Sequence, residues 1–417
     1  MKNIFLSKRL LTIFALMLFA FVMFASLSLK NKESSATGVS LHTELGGSAD
    51  GYERACNSRE MVFPEDHGAH PSFRNEWWYM TGNLTSSDSL KFGFHVTFFR
   101  IANGSSNNTK VSNNQSSLST AHDTSVPDTS ARDKSAWDSS EFYMAHFAIT
   151  QEGTKQIHAH ERFSRAAAGL AGAKVTLQPS LQQSNNPDPL VKVWLDDWQL
   201  AAEEIDGELV WKVSLAEDGE TIDLTLRTTK PIILQGKDGY SQKSSDPCNA
   251  SFYYSLTRLK ADGNVSVAGA THQVTGSAWL DREWSSSALA DDQVGWDWFA
   301  LQLHDGREIM FYQLRKSDGS TDPFSHAVEI DPQGVKKELQ QSDIKLEVSS
   351  WWQSETGAKY PVGGKIQLSD TNETLFYNPL IQNQELNLTV RYWEGAIVLT
   401  NESGDNIGQG YLELTGY

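Results

Sequence analysis

The sequence predicts an all-β protein made of two antiparallel β-barrels in tandem. From Phe73 onward, apolar and polar residues alternate in short runs, and this period of two is typical of strands with one buried face. Gly, Asn and Asp separate the runs, as expected for tight turns between antiparallel strands. Helical periodicity is nearly absent, and 417 residues exceed the size of one ordinary core.

Residues 1–30 predict an export signal. Basic residues precede and follow an apolar run over 10–29, which matches the ~20 residues that a membrane-spanning helix needs. A cleaved signal peptide and an uncleaved signal anchor both fit this pattern. In either case we expect an exported chain, periplasmic or anchored in the inner membrane and facing outside the cytoplasm. Residues 31–60 are small, polar and unpatterned, so we interpret them as a tether.

A first series of strand-like runs occupies residues 61–261, which we assign to an N-terminal barrel. Its clearest members are EWWYMTGNL (76–84), KFGFHVTFFRI (91–101), EFYMAHFAIT (141–150), LVKVWLDDWQL (190–200), ELVWKVSLA (208–216) and TIDLTLRTT (221–229). Residues 102–140 interrupt the series with Ser, Asn, Thr and Asp and almost no large apolar side chain. Such a segment buries too little surface to order itself, so we expect a disordered insertion there.

A second series of runs follows a predicted boundary near residues 262–271. Examples are HQVTGSAWLDREW (272–284), GWDWFALQLHD (295–305), EIMFYQLRKS (308–317) and LNLTVRYWEGAIVLTN (386–401). We assign residues 268–417 to a C-terminal barrel.

The net charge and the two cysteines indicate which partners and which bonds to expect. The formal net charge of −17 argues against a nucleic-acid partner, because phosphate binding needs clustered Lys and Arg. Cys56 and Cys248 are the only cysteines. In an exported protein they could form a disulfide, and two unpaired thiols remain the alternative.

The segment AWLDREW (278–284) carries the residues best suited to chemistry. On a strand, Trp279, Asp281 and Glu283 share one face and Arg282 points to the other. Carboxylates two residues apart lie roughly 6–7 Å from each other at their Cα atoms, so their charges repel and one can keep its proton. A protonated carboxyl in an aromatic pocket is the donor that general acid catalysis requires.

A structural role is the alternative for these carboxylates. Either could instead form an ion pair with Arg282, Arg258 or Arg315, because strand carboxylates are usually solvated or paired. By the same logic, Glu76 is expected to pair with Arg74, Arg100 or His95.

Aromatic residues are abundant enough to line a pocket as well as fill cores. We expect Trp279, Trp298, Tyr254 and Trp78 to line a cavity, where their rings could hold an apolar ligand or stabilise a developing cation. Inward-facing aromatic residues also fill small barrels, which is the structural alternative.

Four histidines in the strand runs of the N-terminal barrel are candidate metal ligands. His95, His146, His158 and His160 could place three ligands around zinc, but only the last two share a ligand-like spacing. We therefore predict no metal site.

Several long motifs resemble the AttH/CrtC family, lipocalin-like secreted hydrolases that include carotenoid 1,2-hydratases. The similarity extends over residues 61–417. The matching stretches include HGAHPSFRNEWWYMTGNL (67–84), FGFHVTFFR (92–100), KPIILQGKDGYSQKS (230–244) and the terminal GYLELTGY. The resemblance implies two tandem lipocalin-like antiparallel barrels, in agreement with the strand runs.

The resemblance also implies a mechanism. In the hydratase branch an acid protonates a terminal alkene, aromatic side chains steady the carbocation, and water adds. Asp281 matches best the aspartate of that branch's aromatic-Asp-His motif. Arg282 stands where the family usually has His, so the hydratase mechanism does not carry over whole.

We therefore expect a hydratase- or hydrolase-like enzyme that acts on a hydrophobic substrate, such as an isoprenoid or a lipid. Asp281 would be the general acid and Glu283 its electrostatic partner or water orienter, with no cofactor required. The alternative is a non-catalytic, lipocalin-like carrier of a lipophilic ligand that works with an ABC transporter, as AttH members often accompany such transporters.

Overall fold

The computed structural model describes residues 49–102, 139–177, 188–287 and 289–417. Within these ranges the chain is all-β except for one short 3-10 helix, Glu65–His67. Two antiparallel sheets curl into barrel-like halves of the lipocalin type, which confirms the predicted fold class.

The first sheet forms the N-terminal barrel. Its strands are β1 (Asn75–Ser86), β2 (Lys91–Ala102), β3 (Glu141–Gln151), β4 (Gln156–Arg165), β5 (Ala171–Val175), β6 (Val191–Leu195), β7 (Trp198–Ile205), β8 (Glu208–Glu217), β9 (Glu220–Thr228), β10 (Ile233–Leu234), β11 (Tyr240–Gln242), β12 (Ala250–Val267) and β13 (Ala270–Ser285). Their order is β4-β3-β2-β1-β13-β12-β9-β8-β7-β6-β5, and β10 and β11 also pair with β12. Because β3 and β4 also contact β6, the sheet curls back on itself.

The second sheet forms the C-terminal barrel. Its strands are β14 (Gln293–Leu303), β15 (Glu308–Lys316), β16 (His326–Ile330), β17 (Lys336–Leu339), β18 (Ile344–Gln353), β19 (Lys359–Leu368), β20 (Glu373–Pro379), β21 (Glu385–Asn387), β22 (Arg391–Thr400) and β23 (Asn406–Thr415). The order is β17-β16-β15-β14-β23-β22-β20-β19-β18, and β21 pairs with β22.

Alternation along the strands gives each barrel an inner and an outer apolar face. In β1, Trp78 and Met80 join the core inside the N-terminal barrel, whereas Tyr79 points outward. In β14, Phe299 joins the core of the C-terminal barrel, whereas Trp298 points outward. The two outer faces pack against each other in a cluster of their own, so the barrels meet through their walls.

Close backbone approach fixes how the two walls meet. A Cβ atom on Gly93 of β2 would lie 2.6 Å from Cβ of Ala396 in β22, so only glycine fits there. Hydrogen bonds also join the barrels. Asn83 Nδ2 donates to the Gly410 carbonyl at 3.0 Å, and Gln302 Nε2 donates to the Ala278 carbonyl at 3.0 Å.

The boundary between the barrels differs from the predicted one at 262–271. β12 and β13 form a hairpin across those residues, and both belong to the first sheet. The chain enters the second sheet only at Gln293, not at residue 268. The prediction was wrong because alternation identifies a strand but does not report which strand it pairs with.

The described end of the predicted tether (31–60) is packed, which corrects that interpretation. Ala55 is buried against the N-terminal barrel, and Cys56 forms a disulfide with Cys248. Arg54 Nη2 lies 2.8 Å from Oδ2 of Asp246 in the same loop. Composition missed this because the disulfide and the ion pair join residues far apart in sequence.

Other predictions fall on residues outside the described ranges. These are the export signal at 1–30 and residues 103–138 of the predicted insertion at 102–140. In the part of the chain that the structure describes, no helix is long and apolar enough to cross a membrane.

Candidate active site

A cavity of about 120 Å³ lies between the two barrels, on their facing outer walls. β1, β2, β12 and β13 form one wall, and β14, β15, β22 and β23 form the other. Eight aromatic side chains line it: Trp77, Tyr79, Phe99, Tyr253, Trp296, Trp298, Tyr312 and Tyr392. Four carboxyl groups line it as well: Asp281, Glu283, Glu394 and Glu413. The cavity therefore combines acidic groups with aromatic faces, and residues from both barrels are needed to enclose it.

Three of the predicted site residues line this cavity: Asp281, Glu283 and Trp298. Trp279 is buried behind Asp281 and packs edge-on against Trp298, with 6.3 Å between the ring centroids. It contacts the carboxyl group without forming part of the cavity wall.

Tyr254 and Trp78, predicted to line the cavity, lie elsewhere. The Tyr254 hydroxyl is 2.6 Å from Nδ1 of His67, and Trp78 Nε1 donates to the His67 carbonyl at 2.8 Å. Adjacent strand residues point to opposite faces, so their neighbours Tyr253 and Trp77 line the cavity instead. The prediction identified the right strands and the wrong face.

Asp281 is buried and held by three neutral donors. Oδ1 accepts hydrogen bonds from Ser255 Oγ at 2.5 Å and Trp279 Nε1 at 2.7 Å, and Oδ2 accepts one from the Tyr253 hydroxyl at 2.5 Å. Burial raises the pKa of Asp281 to about 7, and the nearby charge of Glu283 adds to this increase. The three hydrogen-bond donors act in the opposite direction, because they favour the charged form. Near neutral pH this carboxyl can therefore release and regain a proton.

Glu283 lies two residues further along the same face and has a different environment. Its Oε1 accepts a hydrogen bond from Ser251 Oγ and lies 3.3 Å from Nζ of Lys243. The Lys243 ammonium also lies 4.4 Å from the centroid of the Tyr312 ring. Burial opposes the charge on Lys243, but Glu283 and Tyr312 outweigh it and raise the pKa of the ammonium group. The two carboxyl groups of β13 are therefore supported differently, one by neutral donors and one by a cation.

Glu394 and Glu413 bring two more carboxyl groups to the cavity from the C-terminal barrel. They face each other across β22 and β23. Glu413 accepts hydrogen bonds from Thr415 Oγ1 at 3.0 Å and Trp296 Nε1 at 3.2 Å, yet burial raises its pKa to about 7. Burial and the facing Glu413 carboxyl hold the pKa of Glu394 well above its usual range. Both effects favour the neutral carboxylic acid form of Glu394.

The opposite face of β13 carries a buried ion network that does not reach the cavity. Arg282 Nη2 contacts Oε2 of Glu76, and Arg100 Nη1 lies 2.9 Å from Oε1 of the same carboxylate. The guanidinium of Arg282 stacks on Trp78, 3.9 Å from the ring centroid. Arg100 was one of the predicted partners of Glu76. Because Arg282 points away from the cavity, it belongs to this network and not to the cavity lining.

The predicted ion pairs of Asp281 and Glu283 with arginine are not formed. Arg282 pairs with Glu76, Arg258 with Glu308, and Arg315 with Asp297 at 3.0 Å. Arg282 lies on the other face of β13, as alternation predicts, and the sequence alone does not report which carboxylates Arg258 and Arg315 meet.

The strand histidines of the N-terminal barrel were the candidate metal ligands in the sequence. Over the described ranges, no group of three or more His, Cys, Asp or Glu side chains could hold a metal ion. Burial lowers the pKa of His146 to about 3, and its Nδ1 lies 2.8 Å from the Tyr392 hydroxyl. This imidazole is therefore neutral.

Comparison with known proteins identifies the family. The AttH-like family matches residues 54–417, which include both barrels and the whole cavity. The chain belongs to the AttH-like family. This confirms the resemblance inferred from the motifs.

Two solved structures have folds similar to that of this chain. The chain is 29% identical to an AttH protein from Nitrosomonas europaea, with a TM-score of 0.69, and the match covers 88% of this chain and 99% of that one. Kievitone hydratase from Nectria haematococca is 14% identical, with a TM-score of 0.57, and the match covers 88% of this chain and 98% of that one. The similarity to kievitone hydratase shows that the two proteins share a fold. No curated protein matches this chain significantly.

Sequence reasoning missed Glu394 and Glu413 as cavity residues. Glu394 lies in the predicted strand run 386–401 and Glu413 in the family motif GYLELTGY. Each follows a tyrosine by two residues on the same strand face. The pairs Tyr392-x-Glu394 and Tyr411-x-Glu413 repeat the aromatic-acidic pattern that singled out Trp279-x-Asp281. That repetition was the available signal.

Proposed function

We propose that this AttH-like protein is an exported hydratase- or hydrolase-type enzyme that transfers a proton to a hydrophobic substrate in the inter-barrel cavity. Asp281 is the general acid, and Glu283 is its electrostatic partner. An isoprenoid or another lipid is the class of substrate that the aromatic lining favours. The fold shared with kievitone hydratase is compatible with hydration chemistry.

One observation carries the proposal. Asp281 lies on the wall of an aromatic cavity, and its oxygens contact two hydroxyl groups and an indole, not a cation. Its pKa of about 7 matches the operating range of a general acid at neutral pH. A carboxyl group with a purely structural role would more often be paired with Lys or Arg.

A hydration in this cavity would begin with proton transfer and end with the addition of water. The Asp281 proton forms a new C–H bond with one carbon of the substrate's double bond, whose π electrons are consumed, leaving a cation on the other carbon. The Trp298 and Tyr253 rings stabilise that cation through their π faces. Water then forms a C–O bond with the cation, and its extra proton returns to the Asp281 carboxylate.

Export is part of the proposal. The basic-then-apolar pattern of residues 1–30 supports it. The Cys56–Cys248 disulfide supports it too, because disulfides persist mainly in oxidising compartments.

The test begins with mass spectrometry of the lipid extract from the purified protein, which identifies a bound molecule. Turnover of that molecule is then followed in D₂O, where the proposed steps place one solvent deuterium on the protonated carbon. Asp281→Asn should lower turnover by about 10²–10⁴-fold. Asp223→Asn, at an exposed position on β9, is the matched control and should keep wild-type turnover. Full turnover by Asp281→Asn would remove Asp281 from the mechanism.

A carrier of a lipophilic ligand is the alternative function, and the aromatic cavity would suit it as well. A carrier working with an ABC transporter would retain the co-purifying ligand when Asp281→Asn and Glu283→Gln are combined. It would also release that ligand chemically unchanged. Retention of ligand without any deuterium incorporation would therefore favour the carrier.

A further inference from the structure

Two polar groups on the cavity wall lack a hydrogen bond of good geometry to any other described residue. They are the Glu394 carboxyl, with both of its oxygens, and the hydroxyl of Tyr79, and all three oxygen atoms are buried. Glu394 is fully buried, and both side chains line the cavity. The proposed acid–base step at Asp281 uses neither of them. Because leaving such groups unpaired costs free energy, their placement on a cavity wall points to a ligand.

The neighbours of Glu394 favour its protonated form. His95 Nε2 lies 3.3 Å from Oε2 of Glu394, but the same nitrogen is 2.6 Å from Thr97 Oγ1. Burial and nearby His146 hold the pKa of His95 well below its usual range, so this imidazole is neutral and supplies no charge. Glu413, the group facing Glu394 across the strands, is itself a carboxyl group. An ionised Glu394 would therefore lack a cation to compensate it.

Tyr79 lies next to Glu394 and completes a pair of donors. Its hydroxyl interacts with the Glu394 carboxyl, but the two groups are not placed for a hydrogen bond of good geometry. Burial and Glu394 hold the pKa of Tyr79 well above its usual range, so this phenol keeps its proton. A protonated carboxyl and a phenol both donate hydrogen bonds. Two such donors side by side in an aromatic cavity match one acceptor oxygen.

Tyr79 lies on the same wall as the proposed acid, and Glu394 reaches the cavity from the opposite wall. The Tyr79 ring packs edge-on against Trp298, with 5.1 Å between the centroids. Trp298 Nε1 donates to the Tyr253 hydroxyl at 3.2 Å, which in turn donates to Asp281. A molecule held by its oxygen at Glu394 and Tyr79 would thus extend over Trp298 toward Asp281.

We propose that Glu394 and Tyr79 bind an oxygen of the substrate, so that the cavity selects a hydrophobic carbonyl or hydroxyl compound over a pure hydrocarbon. This inference rests on the proposed function, because it names the substrate class of the same cavity. In this arrangement Glu394 and Tyr79 position the substrate by hydrogen bonds, and Asp281 exchanges the proton.

The test uses binding of two small probes of similar size, cyclohexanone and methylcyclohexane. Each fits the scale of a cavity of about 120 Å³, and only the first has an acceptor oxygen. Dissociation constants are measured by ligand-observed NMR on the full chain. Glu394→Leu should weaken cyclohexanone binding about tenfold and leave methylcyclohexane binding unchanged or tighter, since one hydrogen bond to the ligand is lost.

Further variants separate the role of the proton from that of shape. Glu394→Gln keeps a neutral donor of the same size, so it should retain cyclohexanone binding. Tyr79→Phe should weaken it several-fold. Tyr377→Phe is the matched control, because that tyrosine also buries an unpaired hydroxyl but lies in the core of the C-terminal barrel. It should leave both probes unaffected.

Failure of this inference and failure of the proposed function give different results. Unchanged cyclohexanone binding in both Glu394→Leu and Tyr79→Phe would overturn the oxygen site, whatever the turnover. If Glu394→Leu does not fold, an unchanged Tyr79→Phe protein is sufficient to overturn it. Full turnover by Asp281→Asn with an intact preference for cyclohexanone would overturn only the role of Asp281.

Discussion

The Tyr253 hydroxyl donates a hydrogen bond to Oδ2 of Asp281 at 2.5 Å across β12 and β13. The same hydroxyl accepts a hydrogen bond from Trp298 Nε1, which belongs to the C-terminal barrel. The carboxyl group proposed as the acid is therefore connected to the second barrel through one phenol. Docking of the two barrels thus completes its hydrogen-bonding environment.

Removing the Tyr253 hydroxyl should change the pKa of Asp281. This hydroxyl donates to the carboxylate, so Tyr253→Phe destabilises the charged form and raises the pKa further. A hydrogen bond to a charged group contributes about 1.5 kcal/mol, which corresponds to a shift of about one pH unit. The pH profile of turnover should move upward by that amount.

Tyr254→Phe is the matched control for that experiment. Tyr254 is the neighbouring tyrosine on β12, but its hydroxyl contacts His67 on the opposite face. Its removal should leave the pH profile of turnover in place. A profile that moves equally in both variants would show that the shift does not arise from the Asp281 hydrogen bond.

Stability should decrease as the pH rises toward neutrality, because burial raises the pKa of the cavity carboxyls Asp281 and Glu413 to about 7. In the folded state the pKa of both Asp281 and Glu413 is about 7, above the values of 3.8 and 4.5 for unperturbed groups. The folded chain thus binds these protons more tightly than the unfolded chain. Their contribution is fully present below about pH 4 and is lost as the pH rises through 7.

Urea unfolding over a pH series measures this effect. Each group contributes a slope of at most about 1.4 kcal/mol per pH unit between its two pKa values. A variant combining Asp281→Asn and Glu413→Gln should show a flatter dependence between about pH 5 and 7. The carboxyls of Asp66 and Glu76, whose pKa values are far below the usual range, affect stability at lower pH. Parallel curves for the variant and the wild type would contradict the prediction.

The contact between Gly93 and Ala396 should be essential for barrel docking. Gly93→Ala places two Cβ atoms 2.6 Å apart, so the walls must separate. We expect a loss of about 1–3 kcal/mol in unfolding free energy, the usual cost of overpacking. Thermal denaturation measures it, and adding Ala396→Gly to the same chain should restore much of the loss.

Gly153→Ala is the control for the Gly93 prediction. A Cβ atom at Gly153 meets only Leu90 Cδ2 at 3.7 Å, an ordinary contact distance. Its melting temperature should stay close to that of the wild type. Equal destabilisation at both positions would indicate a general cost of removing glycine and not a steric contact between the barrels.

The buried network behind the cavity should contribute strongly to stability. Glu76→Gln leaves the guanidinium groups of Arg100 and Arg282 buried without their shared carboxylate. Breaking a buried pair in this way typically costs about 3–5 kcal/mol. At the exposed pair of Lys212 and Glu203, by contrast, Glu203→Gln should cost less than about 1 kcal/mol. Chemical denaturation of the two variants side by side compares these costs.

The alternation in β13 shows how far sequence reasoning extends. Period-two patterning correctly placed Asp281 and Glu283 together and Arg282 on the other face. The same patterning could not say which face meets the second barrel. Tyr254 and Trp78 were therefore assigned to the cavity, although each is one residue away from the side chain that lines it.

By itself, the sequence determined the all-β class, the strand runs, the family and the pairing of acidic with aromatic residues on one face of β13. These depend on local periodicity and on motifs, which any stretch of chain carries independently of the rest. The tertiary structure alone decided the barrel boundary after β13, the disulfide, and the meeting of Asp281 with Glu394 in one cavity. These depend on which strands pair and which walls dock, and local periodicity does not encode contacts between residues more than a hundred positions apart.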